Sequence, residues 1–147
     1  MSLIAQIGVF FLTFFTMEFM AWFSHKYVMH GFLWSLHKDH HHKDHNSWFE
    51  RNDLFFIFYA VVSVGCVVFW GEYGFTPGLA IGIVYLPMGG YFMVHDIFIH
   101  QRFKIWRNAN NRYARGVRRA HKIHHKHLGK TKGECFGMLW VPLKYFK

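Results

Sequence analysis

The sequence predicts an all-α integral membrane protein of one domain, with about three transmembrane helices carrying a histidine-rich helical cap. Three observations predict it. Long apolar blocks interrupt the chain, and 52% of its 147 residues are hydrophobic, 18 of them phenylalanine. All 17 Lys and Arg fall in two segments, with none before Lys26 and none between Arg51 and Arg102. Most of the 13 histidines follow directly on the apolar blocks, as in "LHKDHHHKDH" and "AHKIHHKH".

The first block, 3–23, has the roughly 20 apolar residues that a helix needs to cross a bilayer core. It carries a single acid, Glu18. The second block, 54–71, is near the short end of a span. "GEYGFTP" then has the Gly and Pro punctuation of a tight hairpin. The third block, 78–98, contains Pro87, Gly89 and Gly90 and should kink, which neighbouring helices tolerate within a membrane. The positive-inside rule places the basic segments 24–53 and 99–147 in the cytoplasm and the hairpin tip outside. The tail "FGMLWVPLKYFK" is too short to span and is expected at the interface, anchored by Trp140, Lys144 and Tyr145.

A formal charge of +9 can signal nucleic-acid binding. Here the charge alternates with uncharged apolar blocks, which fits a membrane and not a nucleic-acid surface. No positively charged region precedes the first block, so a cleaved signal peptide or transit peptide is not expected. Cys66 and Cys135 form neither a disulfide framework nor a CxxC motif.

The histidines repeat. Each half of the chain has an apolar span, then two histidines five apart, then a histidine followed by an adjacent pair. The first half has His25/His30 and His37/His40/His41, and the second has His95/His100 and His121/His124/His125. Positions i, i+3 and i+4 share a helical face, so each triplet should converge as a facial donor set. Positions i and i+5 lie about 140° apart on an ideal helix. Two metals, a π-bulge or an unwound helix end would each reconcile that pair with a shared site. Two metals with about five ligands each would use all ten histidines, and imidazole suits Zn, Cu, Fe and Ni alike. His42, His45 and His127 fall outside the repeat and read as solvated. Glu18 lies two turns before His25 and could hold the second nitrogen of a ligand imidazole, or else snorkel to the interface or stay neutral; Asp96 and Asp53 could likewise hold an imidazole, or equally cap a helix or pair with a nearby Arg. Asp39 and Asp44 read as solvated. Arg112, Arg115, Arg118 and Arg119 follow helical spacing and suit lipid headgroups, or an acidic electron donor.

The histidine set resembles the fatty acid hydroxylase/sterol desaturase superfamily of membrane di-iron enzymes. The words "HKYVMHGFLWSLHKDHH", "NDLF", "YFMVHDIFIHQRF", "AHKIHH" and "FGMLWVP" resemble its bacterial carotenoid hydroxylase branch. The resemblance implies that the ten patterned histidines hold two iron ions, with zinc as a substitute in an overexpressed sample. It implies O2 as co-substrate and a ferredoxin-like carrier as electron donor. The reaction implied is hydroxylation of carbons 3 and 3′ of β-ionone rings, β-carotene to zeaxanthin or canthaxanthin to astaxanthin, at the inner membrane. It allows a fourth span, which no stretch of the chain readily supplies. The alternatives are a lipid hydroxylase or desaturase of the same superfamily and, in another class, a non-catalytic membrane metal carrier. A carrier should have polar ligands along its spans, which here offer little beyond Glu18.

Overall fold

Helix α1 runs from Leu3 to Phe23, capped at its start by Ser2, whose hydroxyl accepts the Ala5 N–H at 3.3 Å. At 1.5 Å per residue its 21 residues extend about 30 Å, the thickness of a bilayer core. The computed structural model describes residues 2–73, 90–103, 105 and 107–147. Among these there is no β-strand.

Helix α1 runs directly into a π-helical segment, Ser24–Phe32, which kinks at Gly31, where the backbone leaves helical geometry (φ −98°, ψ −121°). A short helix α2, Trp34–His41, follows. Helix α3, Asp53–Trp70, is the second helix long and apolar enough to cross a membrane. Both spanning candidates leave large apolar side chains uncovered, among them Ile4 at 82% and Leu12 at 70% exposure on α1, and Val68 at 66% on α3. Uncovered apolar surface on this scale suits lipid tails.

Of the expected hairpin only Gly71–Tyr73 is described, as one 3-10 turn. The kink expected at Pro87 and Gly89 lies outside the described residues. The described end of the third apolar block is helical over Gly90–Ile99 and closes in a second π-helical segment, Met93–Ile99. Helix α4, Arg112–His124, is capped by Asn111, whose side chain accepts the Ala114 N–H at 2.8 Å. A 3-10 turn, Leu143–Phe146, ends the chain.

The tail packs against α4. Tyr145 is buried against Val117, Ala120 and Val141, and of the three expected anchors only Trp140 and Lys144 are exposed. The arginines of α4 brace this packing. Arg112 and Arg119 donate to the carbonyls of Phe146 and Lys147, Arg115 to Asn110, and Arg118 to Phe98 and Ala109. Their helical spacing therefore serves tail and loop docking. Gly116 makes room for the Phe146 ring, which a Cβ there would overlap. Gly116→Ala is expected to displace the tail and lower stability by roughly 1–3 kcal/mol, measured by thermal unfolding in detergent.

Candidate metal centre

The two π-helical segments solve the five-residue spacing. An i→i+5 hydrogen bond stacks residues five apart, where an α-helix would splay them. The Leu33 N–H reaches the Val28 carbonyl at 3.0 Å, and the His100 N–H reaches that of His95 at 2.9 Å. The imidazoles of His25 and His30 come to 5.2 Å between centroids, and those of His95 and His100 to 4.6 Å.

All ten patterned histidines gather into two groups of five. Cage one comprises His25, His30, His37, His41 and His124; cage two comprises His40, His95, His100, His121 and His125. In each cage the candidate ligand atoms lie within 4.8 Å of one another. The triplets do not stay together as expected. His37 and His41 enter cage one while His40 enters cage two; His121 and His125 enter cage two while His124 enters cage one. The helical period gives the reason. Relative to residue i, position i+4 is rotated by about 40° one way and i+3 by about 60° the other, so the i+3 ring faces the opposite cage.

The second nitrogens fix the tautomers. In cage one every Nδ1 donates to an oxygen: His25 to the Phe136 carbonyl (3.0 Å), His30 to Lys130 (3.1 Å), and His41 to His127 (3.1 Å). His124 donates to the Glu134 carbonyl (2.8 Å) and His37 to Asn52 Oδ1 (2.6 Å). Each Nε2 is therefore a bare lone pair. Yet the Nε2 atoms of His30, His41 and His124 face one another at 3.1–3.2 Å, and those of His25 and His37 are buried with no hydrogen-bond partner among the described residues.

Protonation does not relieve this crowding. Burial holds His37 well below the ordinary imidazole range, and lowers His41 to about 4 and His124 to about 3. A cation among the lone pairs does relieve it. Neighbouring nitrogens bound at about 2.0–2.1 Å to one ion stand about 2.9–3.4 Å apart, the spacing found here.

Cage two has the same character. His40 Nδ1 donates to Glu50 at 2.8 Å and His95 Nδ1 to Asp96 at 3.0 Å, while their Nε2 atoms meet at 3.0 Å. His121 Nε2 lies 2.8 Å from His100 Nε2 and 2.9 Å from His125 Nε2. Burial also lowers His40 and His121 far below the usual range, and His100 to about 3. Five nitrogen donors crowded around a common point fit a transition-metal ion in each cage.

These shifts have a pH consequence. A histidine whose folded pKa is depressed binds fewer protons folded than unfolded, so its contribution is complete above about 6.5 and is lost as pH falls. The metal-free protein is therefore expected to lose thermal stability steadily from about pH 6.5 towards pH 4, where His41 titrates. Differential scanning fluorimetry of chelated protein across that range measures it; a flat profile would contradict the buried neutral cage.

The acids divide differently from the sequence expectation. Asp96 does hold an imidazole, that of His95. Glu18 does not: its carboxylate accepts the backbone N–H groups of Met138, Leu139 and Trp140 at 2.9–3.2 Å and the Tyr91 hydroxyl at 2.7 Å. A turn with three N–H groups converging is a natural carboxylate site, and it outcompetes a single imidazole two turns away. Asp53 takes the other expected role, pairing with Arg102, and also accepts the Glu50 N–H at 3.1 Å. Asp39 is buried and accepts the Arg51 N–H at 2.7 Å and His45 Nε2 at 3.2 Å, so neither Asp39 nor His45 is simply solvated. His42 and Asp44 are exposed, and His127 is half-buried, supplying the carbonyl to His41. Asn52 and Glu50 went unrecognised as imidazole partners. Their position beside "NDLF", at the start of a span, was the available signal.

An apolar cleft with a cavity volume of about 70 Å³ reaches both cages. His25 and His37 of cage one and His95 of cage two line it, together with Ala21, Met29, Phe55, Phe56 and Phe92.

The family model for fatty acid hydroxylases matches residues 10–143. The chain is 36% identical to the beta-carotene hydroxylase of Pantoea ananas over 90% of its own length and 75% of that protein. It is 34% identical to the beta-carotene hydroxylase of Paracoccus sp. over 86% of its length and 78% of that protein. It is 38% identical to beta-carotene 3-hydroxylase 2 of Arabidopsis thaliana, a chloroplastic protein of which it spans only 42%. No solved structure matches it. With the match running through both histidine cages and the helices that carry them, the chain belongs to the fatty acid hydroxylase family.

Proposed function

We propose that the protein is a membrane di-iron monooxygenase that hydroxylates carbon 3 and then carbon 3′ of the β-ionone rings of carotenoids, converting β-carotene to zeaxanthin. The observation that carries the metal reading is the pair of five-nitrogen cages with inward lone pairs. The relatives named beta-carotene hydroxylase support the substrate class. Breaking an unactivated C–H bond requires an oxidant that no side chain provides, and iron with dioxygen supplies it.

The chain's own residues do the rest. The ten histidines would hold the ions, and backbone carbonyls, Asn52, Glu50 and Asp96 keep the rings turned inward. The apolar cleft suits a hydrocarbon ring arriving from lipid, and Phe55, Phe56 and Phe92 exclude water from it. The basic segments favour a cytoplasmic position for the cages at a bacterial inner membrane. Exposed Lys122, Lys126, Lys130 and Lys132 flank the loop that holds cage one, a surface suited to an acidic ferredoxin-like electron donor. A carotenoid bearing a keto group, such as canthaxanthin, fits the same cleft chemistry.

The test is expression in cells that accumulate β-carotene. Mono- and then dihydroxylated products should appear by chromatography and mass spectrometry; their absence, with folded iron-loaded protein present, would end the carotenoid reading. The second reading is hydroxylation of a fatty acyl or sterol chain, favoured by the name of the family itself. Lipid analysis of the same cells distinguishes it.

A further inference from the structure

The two cages are built from the same ligands but surrounded by different charges. In cage one all five Nδ1 donors face neutral acceptors, four main-chain carbonyls and the Asn52 amide. In cage two the Nδ1 atoms of His40 and His95 face the carboxylates of Glu50 and Asp96. A further acid stands behind them. Asp53 accepts the Glu50 N–H and pairs with Arg102, whose guanidinium also bonds Asp96 and stacks on Trp48. Three carboxylates and one guanidinium leave the surroundings of cage two more negative than those of cage one.

Both neighbours are held in place. Gln101 adopts a left-handed backbone, φ 55°, and the next N–H, that of Arg102, returns to the Asp96 carbonyl at 2.9 Å. That turn carries the Arg102 side chain back over Asp96 and Asp53. Glu50 is anchored through its own backbone N–H, which donates to Asp53 Oδ2 at 3.1 Å.

We infer that Glu50 and Asp96 make the cages electronically unequal, so that an iron ion in cage two is oxidised from ferrous to ferric more readily than one in cage one. The inference rests on the di-iron reading above. A carboxylate accepting an imidazole N–H pushes electron density onto the opposite nitrogen and raises its basicity. Fixed negative charge in a poorly solvated site also stabilises the trivalent ion over the divalent one. Cage one receives neither effect. Each oxidation releases one electron, taken up in the test by a chemical mediator poised by an electrode, and no bond to iron need change.

The experiment is a mediator-poised redox titration of the purified iron-loaded protein in detergent, followed by Mössbauer spectroscopy. Iron per chain is measured first. Fewer than two irons in the unaltered protein would defeat the di-iron reading itself; two irons with identical potentials would defeat this inference alone. Two one-electron waves are expected. Glu50→Gln keeps an acceptor for His40 and removes the charge. It should raise the lower-potential wave, reducing its ferric-to-ferrous ratio at fixed potential about tenfold, which corresponds to about 59 mV, and leave the other in place. Asn52→Asp adds a carboxylate to cage one and should lower the higher-potential wave, closing the gap. That arm decides the matter alone if Glu50→Gln does not fold. Movement of the higher-potential wave by Glu50→Gln, equal movement of both waves, or no effect of Asn52→Asp would overturn the inference.

Discussion

Replacing His40 with alanine is expected to abolish hydroxylation while removing about one iron per chain instead of both. His40 sits on the same helical turn as His37 and His41, yet its Nε2 lies 3.0 Å from His95 Nε2 in the other cage. His124→Ala should do the converse and strip cage one. Loss of a residue that merely orients a ligand commonly costs 10–100-fold, so loss of a ligand itself should cost more than about 100-fold in product formed. Asn52→Ala, which frees His37 without deleting it, should fall within about 10–100-fold. Exposed His42→Ala should change nothing. Carotenoid chromatography and iron analysis on the same membranes read both quantities. Activity above a tenth of normal in His40→Ala or His124→Ala would remove those residues from the metal centre.

Replacing Glu18 with leucine is expected to have the largest effect on stability. The substitution leaves three N–H groups at Met138, Leu139 and Trp140 without their acceptor and takes the partner from the Tyr91 hydroxyl. At about 1–3 kcal/mol for each stranded N–H, the loss is roughly 3–9 kcal/mol. The effect should reach the metal. The same stretch of chain supplies the Phe136, Glu134 and Lys130 carbonyls that orient three rings of cage one. Iron retention should therefore fall together with the unfolding temperature. Glu18→Gln retains one carbonyl oxygen and should lose less. Gly137 stands beside this carboxylate because a Cβ there would come within 3.0 Å of Glu18 Oε1. Wild-type stability in Glu18→Leu would show that water or neighbouring groups replace the carboxylate.

Much of the architecture was legible in the amino-acid order, because apolar length is a one-dimensional property. The first span was expected at 3–23 and is found as helix Leu3–Phe23; the second was expected at 54–71 and is found as Asp53–Trp70. The ten histidines could be picked out because a spacing repeated after two apolar blocks is visible without coordinates. Their five-residue pairs called for two metals, a π-bulge or an unwound helix end, and the π-helical form is the one found. Other assignments depended on competition that spacing does not record. Glu18 shares a helical face with His25, but three backbone N–H groups from a turn 120 residues away claim it. Tyr145 has the composition of an interfacial anchor, but α4 offers it a buried slot.

The sequence by itself thus determined which residues could bind metal, since ligand chemistry belongs to residue type. It also determined that they follow apolar helices, since burial in lipid depends on run length. Only the tertiary structure decided how ten imidazoles divide into two fives. Rings at i+3 and i+4 diverge by about 100° around a helix, so neighbouring histidines serve different cages once α2 and α4 face each other. Charge placement also came from the fold, because Glu50 and Asp96 acquire their partners only when distant segments meet.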